Sequence, residues 1–111
     1  MKVAVTSIGP KLDDHIGTRP DKCSFWLVVD PVTMECETMP NPLMSVGGPA
    51  AGKLIAQVLE EHRVKFILAG GCGCNQLKKL GENGMRVLLG MTGSVRETVE
   101  KFNRSHFSRM P

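Results

Sequence analysis

The sequence predicts an α/β fold in which helices cover both faces of one sheet, a three-layer α/β/α sandwich. Short apolar runs of strand length come first, and helical and strand patterns then alternate along the second half of the chain. The resulting order is β-β-β-α-β-α-β-α, and right-handed crossovers make strands one, four and five parallel. Because 111 residues without a repeat or a linker suit one core, residues 1–111 are predicted to form a single domain.

The first three strands are predicted to form an antiparallel meander. Residues 2–7 begin with β-branched side chains in weak alternation, and residues 25–29 form a continuous apolar run typical of a central strand. Residues 34–39 alternate apolar and charged side chains, as a half-exposed strand does. The connection over 8–23 is rich in glycine and proline, and a loop of that length usually carries function.

The second half of the chain alternates helices and strands. A second long loop over 40–49 leads into an amphipathic helix predicted over 49–63. The apolar stripe of this helix consists of Ala51, Leu54, Ile55, Val58 and Leu59. A fourth strand over 65–69, a short helix over 75–84 and a fifth strand over 86–89 follow.

A last helix is predicted from the capping-box spacing of Ser94 and Glu97. Its buried side consists of Val95, Val99 and Phe102. The residues after Asn103 are predicted to fray.

Composition excludes several classes of protein. No apolar stretch approaches the roughly 20 residues of a membrane span, and the start lacks a secretory signal. The four cysteines are therefore expected to be reduced thiols of a cytoplasmic protein. The net charge of +3 is mild and its basic residues are scattered, which argues against nucleic acid as a partner but allows an anionic small ligand.

Two thiols one residue apart, Cys72 and Cys74, follow the fourth strand and carry the strongest chemical signal. In an open α/β sheet, ligands gather where strands end at their carboxyl side. Thiolates suit Cu(I), zinc or iron–sulfur centres, so the pair is a candidate metal site. The alternative is a pair of inert small residues in a tight loop.

Glycines around these thiols offer a second way to hold an inorganic anion. Gly70, Gly71 and Gly73 allow backbone N–H groups to converge, and the helix that Asn75 caps points its N-terminus the same way. The alternative is that these glycines only make turns.

Other candidate residues lie in the two long loops. Gly47 and Gly48 precede a helix start, and Arg19 or Lys22 would add charge-assisted bonds to an anion. His15 is a candidate metal ligand or acid–base group, the alternative being an exposed loop histidine.

Several segments together resemble the nitrogenase iron–molybdenum cofactor biosynthesis family, which includes the NifX and NafY carriers, the C-terminal part of NifB and the orange proteins. The matching segments are 1–7, 25–30, 47–59, 66–75 and 84–95. The resemblance covers nearly the whole chain. It implies a ribonuclease H-like three-layer fold whose five-stranded mixed sheet has the order 3-2-1-4-5 with strand two antiparallel.

The same resemblance implies non-enzymatic carriage of a metal–sulfur cluster between a donor and an acceptor protein. Single-domain members of this size include the orange proteins, which carry a molybdenum–copper sulfide cluster. An iron–molybdenum cofactor-type cluster is the other expected cargo. Residues 15–19 loosely match the family's His-Phe-Gly-Arg element. The family's usual segment after strand four resembles Gly-x-x-Gly-Pro-Asn. This chain has Cys72, Gly73, Cys74 and Asn75 there, and its thiols are a departure that would tune the site towards copper.

Two other functions remain open on the sequence alone. One is an interaction or regulatory module of the same fold that binds no metal. The other is a small oxidoreductase using its thiols, although no nicotinamide or flavin fingerprint is present.

Overall fold

The computed structural model describes residues 1–19, 22–45, 51–71 and 75–107. The strands are β1 (Lys2–Ser7), β2 (Phe25–Val29), β3 (Cys36–Pro40), β4 (Val64–Leu68) and β5 (Arg86–Leu88). The helices are α1 (Pro42–Ser45), α2 (Ala51–Glu61), α3 (Asn75–Glu82) and α4 (Val95–Phe107). The short α1 falls inside the second loop and was not predicted, while the predicted helix start at Pro49 lies outside the described residues.

The five strands form one mixed sheet in the order β3-β2-β1-β4-β5. β2 runs antiparallel to both β1 and β3, whereas β1, β4 and β5 are parallel. The predicted meander, the parallel strands and the sheet order are confirmed. Because β1, β3, β4 and β5 all run in one direction, they end at the same side of the sheet, called here the carboxyl edge.

Alternation along β1 sends side chains to two cores, one on each face of the sheet. On one face the sheet packs against α2 and α3 through Ala4, Trp26, Val28, Ile67, Ile55, Leu59, Leu77 and Leu80. On the other face it packs against α4 through Val3, Val5, Leu27, Val29, Leu68, Val95, Val99 and Phe102. The structure is therefore the predicted three-layer sandwich.

The prediction for the third strand was wrong at its start and in its exposure. Met34 has a φ of 62°, and its N–H donates to the carbonyl oxygen of Asp30 at 2.7 Å. The Asp30 carboxylate also accepts bonds from the N–H groups of Val32 and Thr33, which lowers the pKa of Asp30. This turn delays β3 until Cys36, and the strand is mostly exposed.

The apolar stripe of α2 is rotated relative to its prediction. Ile55 and Leu59 are buried as predicted, but Leu54 and Val58 are 48% and 40% exposed. Ala56 is buried in their place. The rotation follows from packing, because α2 contacts α3 as well as the sheet and its buried face turns towards that neighbour.

The helix α4 begins as predicted but ends later. The N–H of Ser94 donates to the Glu97 carboxylate at 3.3 Å, and the N–H of Glu97 donates to the Ser94 hydroxyl at 3.1 Å, which confirms the capping box. The prediction of fraying after Asn103 was wrong for residues 104–107, because the helix continues to Phe107, and the rest of the tail lies outside the described residues. The Asn103 side-chain amide donates to the carbonyl oxygen of Pro31 and ties this end to the β2–β3 turn.

Within the described ranges, no helix combines the length and apolar character needed to cross a membrane.

Candidate functional site at the carboxyl edge

The first long loop is fixed to the start of α4 at the carboxyl edge. The N–H of Ile16 donates to the carbonyl oxygen of Gly93 at 3.0 Å, and the N–H of Val95 donates to that of Asp14 at 3.0 Å. Nearby, the Arg96 guanidinium forms an ion pair with Asp13 at 2.9 Å. The described part of the loop that follows β1 therefore has a defined position although no regular strand or helix lies in it.

The segment after β4 lies directly against this first loop. A Cβ at Gly70 would lie 2.8 Å from the carbonyl oxygen of Gly17, and a Cβ at Gly71 would overlap the carbonyl oxygen of Thr18. Gly71 also has a φ of 74°, a backbone conformation that residues with a side chain rarely adopt. These two glycines are required by the approach of the loop backbones, which supports the turn-making alternative for Gly70 and Gly71.

The loop after β5 joins the same assembly. The N–H of Gly90 donates to the carbonyl oxygen of Gly71, and the N–H of Met91 donates to that of Ala69, each at 3.0 Å. Three loops that follow three parallel strands are thus linked by backbone hydrogen bonds.

Buried Asn41 connects the end of the first loop to the start of the second. Its side-chain amide donates to the carbonyl oxygen of Cys23 at 2.8 Å, and its side-chain oxygen accepts a bond from the N–H of Leu43 at 2.9 Å. The N–H of Asn41 donates to the carbonyl oxygen of Ser24 at 3.3 Å. The described part of the second loop therefore begins at the carboxyl edge, as do the loops after β1, β4 and β5.

The structure brings some predicted site residues together and separates others. Arg19, with an exposed side chain, follows the Thr18 that contacts Gly71. Asn75 is exposed and is the first residue of α3 rather than the residue before it. His15 is exposed and pairs through its backbone with Ser94, at the part of the carboxyl edge that lies next to α4. The predicted residues Gly47, Gly48, Cys72, Gly73 and Cys74 lie outside the described residues.

The helices that begin at the carboxyl edge favour an anion. The first turns of α2 and α3 contain no acidic side chain, whereas the first turn of α4 contains Glu97. A helix N-terminus carries about half a positive charge, which an acidic side chain would offset. The partial charges of α2 and α3 are therefore not neutralised from within their own first turns.

The thiols of the described part do not build a metal site by themselves. No group of three histidine, cysteine, aspartate or glutamate side chains there is close enough to hold a metal ion. The buried Cys23 thiol lies 3.5 Å from the carbonyl oxygen of Phe25 and 3.4 Å from the Asn41 amide nitrogen. Cys36 is exposed on β3, and partial burial and then the charge of Glu37 raise the pKa of its thiol, which keeps it protonated at neutral pH.

Sequence reasoning missed two buried polar side chains near the end of β1. Thr6 and Trp26 are paired across β1 and β2 and are fully buried. The Thr6 hydroxyl bonds both the first loop and the loop after β4. Among the residues that the structure describes, none accepts a hydrogen bond from the indole N–H of Trp26. A hydroxyl side chain ending an apolar strand is the signal that would have identified Thr6.

Comparison with known proteins identifies a family and several similar structures, two of which are described here. The family model described as "Dinitrogenase iron-molybdenum cofactor" matches residues 1–105. The apo form of the orange protein from Desulfovibrio gigas is 30% identical, with 94% of this chain and 88% of that chain aligned at a TM-score of 0.75. A putative NifB protein from Thermotoga, of the DUF35 family, is 23% identical over 93% of this chain and 87% of that chain at a TM-score of 0.71. No curated protein sequence matches the chain.

Proposed function

Because this chain belongs to the dinitrogenase iron-molybdenum cofactor family, we propose that it binds and carries a molybdenum-containing metal–sulfur cluster without catalysing a reaction. A molybdenum–copper sulfide is the proposed cargo. The similarity of this chain to the orange protein supports this choice. The Cys72-x-Cys74 pair supports it as well, since thiolates are preferred ligands of Cu(I).

One observation carries the proposal: the loop containing Arg19 packs against Gly70 and Gly71 at the carboxyl edge. Cys72 follows Gly71 directly in the sequence, so the thiols continue from a segment that the first loop already touches. The segment that Arg19 follows therefore lies beside the segment that leads in the sequence into two soft ligands, at the edge where open α/β sheets bind ligands.

The chemistry of an anionic sulfide cluster suits these groups. Cys72 and Cys74 would contact the copper as thiolates, and the Arg19 guanidinium would donate hydrogen bonds to sulfide or oxo groups. The N-termini of α2 and α3 add favourable charge because neither first turn is acidic. His15, at the part of the carboxyl edge next to α4, is proposed as a further ligand of the metal on the sequence pattern alone.

The first experiment is reconstitution of the apo-protein with tetrathiomolybdate and copper. We expect strong visible absorption that co-elutes with the folded protein at a fixed ratio of molybdenum and copper to chain. The sole tryptophan, Trp26, lies on β2 beside Thr6, and quenching of its emission gives an independent binding curve.

Colour that elutes apart from the protein, or that binds equally to unfolded chain, would contradict the proposal. Metal analysis of protein isolated anaerobically from its native source distinguishes the remaining alternative. An interaction module without cargo would contain neither molybdenum nor copper and would be captured only with a protein partner.

A further inference from the structure

Thr6 links two loops of the candidate site through one buried hydroxyl. The Thr6 hydroxyl donates to the carbonyl oxygen of Gly17 at 3.0 Å and accepts from the N–H of Gly70 at 3.4 Å. The carbonyl oxygen of Thr6 also accepts a bond from the N–H of Gly17 at 3.0 Å. The side chain is fully buried at the carboxyl end of β1.

A hydroxyl is an unusual choice at this position. The preceding residues of β1, Val3 to Val5, are apolar and fully buried, and a valine would fill nearly the same volume as Thr6. A buried hydroxyl is favourable only when it is hydrogen-bonded. One bond of the Thr6 hydroxyl goes to the backbone of the loop after β1, and the other goes to the backbone of the loop after β4. The hydroxyl therefore fixes the distance between these two loops.

We infer that Thr6 is a positioning residue for the cargo. It acts through Gly17 and Gly70, holding the loop of Arg19 at a fixed distance from the segment that continues into Cys72. The inference rests on the proposed carrier function and adds that the two loops must keep this spacing to bind one cluster. Thr6 itself is buried and does not touch the cargo.

The test compares Thr6→Val with Thr98→Val. Thr98 is also buried, and its hydroxyl lies within hydrogen-bond distance of two carbonyl oxygens just before α4, that of Ser94 at 2.9 Å and that of Thr92 at 3.4 Å. Both variants lose a buried hydroxyl, but only Thr6→Val unlinks the two loops. With both proteins folded, we expect Thr6→Val to weaken cluster binding by about tenfold or more, as removal of a supporting residue does in metal sites. Thr98→Val should bind as the wild type does.

Two readouts separate positioning from general stability. Thr6→Ser keeps the hydroxyl and should restore binding to within about threefold of wild type, a change far smaller than a tenfold loss. Amide hydrogen exchange should show the N–H of Gly70 protected in the wild type, more so when the cluster is bound, and less protected in Thr6→Val. The exchange experiment on the wild type still tests the hydrogen bond from the Gly70 N–H if Thr6→Val does not fold.

Wild-type binding by Thr6→Val, an equal loss in Thr98→Val, or rapid exchange of the Gly70 N–H in the wild type would overturn this inference while leaving the carrier function intact. Failure of the wild type to bind any cluster would instead overturn the carrier function and this inference with it.

Discussion

The double variant Cys72→Ser/Cys74→Ser should lose the copper-dependent part of cluster binding. A serine hydroxyl is a hard, neutral donor, and it cannot replace a thiolate towards Cu(I). We expect the affinity for the reconstituted molybdenum–copper cluster to fall by about 100-fold or more, with little effect on the unfolding temperature. Titration followed by visible absorption and Trp26 emission measures the loss.

Cys36→Ser provides the matched control for the thiols. Cys36 is exposed on β3, and its raised pKa keeps it a thiol at neutral pH, so its loss should leave binding unchanged. If the double variant reconstitutes as the wild type does, the thiols are not ligands, and the cluster would have to be held by cations and backbone N–H groups alone.

Gly71→Ala should destabilise the fold and displace the first loop. The new Cβ would overlap the carbonyl oxygen of Thr18, and the residue must also keep a φ of 74°. Left-handed backbone costs a non-glycine residue about 1–2 kcal/mol, and overpacking against backbone adds about 1–3 kcal/mol. We therefore expect the free energy of unfolding to fall by about 2–5 kcal/mol, measured by chemical denaturation.

Gly90→Ala separates the two causes of this loss. Gly90 has the same φ of 74°, but a Cβ there meets nothing within 4 Å. It should cost only the backbone term, about 1–2 kcal/mol. Equal losses in the two variants would show that the contact between Gly71 and Thr18 does not constrain the site.

Much of the fold was predictable because its signals are local. The apolar runs of β1 and β2 and the capping box of Ser94 and Glu97 depend on neighbouring residues, and the structure confirms them. The sheet order came from the family resemblance, and the order β3-β2-β1-β4-β5 confirms it.

The errors arose where distant contacts decide local structure. The rotation of Leu54 to the surface depends on the packing of α2 against α3. The late start of β3 is the exception, because the Asp30 carboxylate bonds the nearby N–H groups of Val32 and Thr33. The ordered end of α4 depends on the bond from Asn103 to Pro31, far apart in the sequence.

The sequence indicates where a site is expected, but it does not reveal the contacts that hold the loops together there. Glycines and thiols at the end of β4 indicated the carboxyl edge directly. The pairing of Thr6 with both Gly17 and Gly70 joins residues far apart in sequence, and no short motif reports such a contact. Asn41, which joins the two long loops, lies between two prolines in the predicted second loop, where no pattern indicates its contacts.

The central claim is that the cluster binds at the carboxyl edge. Amide chemical-shift mapping of the labelled protein during titration with the reconstituted cluster tests it most directly. We predict that the largest changes fall at Thr18, Arg19, Gly71 and the segment 72–75. A cleft of about 370 Å³ at the opposite end of the sheet provides the internal control, and its lining residues are Glu60, Arg63, Val64, Lys65, Gly84 and Met85. Changes concentrated around that cleft, with the carboxyl edge unaffected, would contradict the claim.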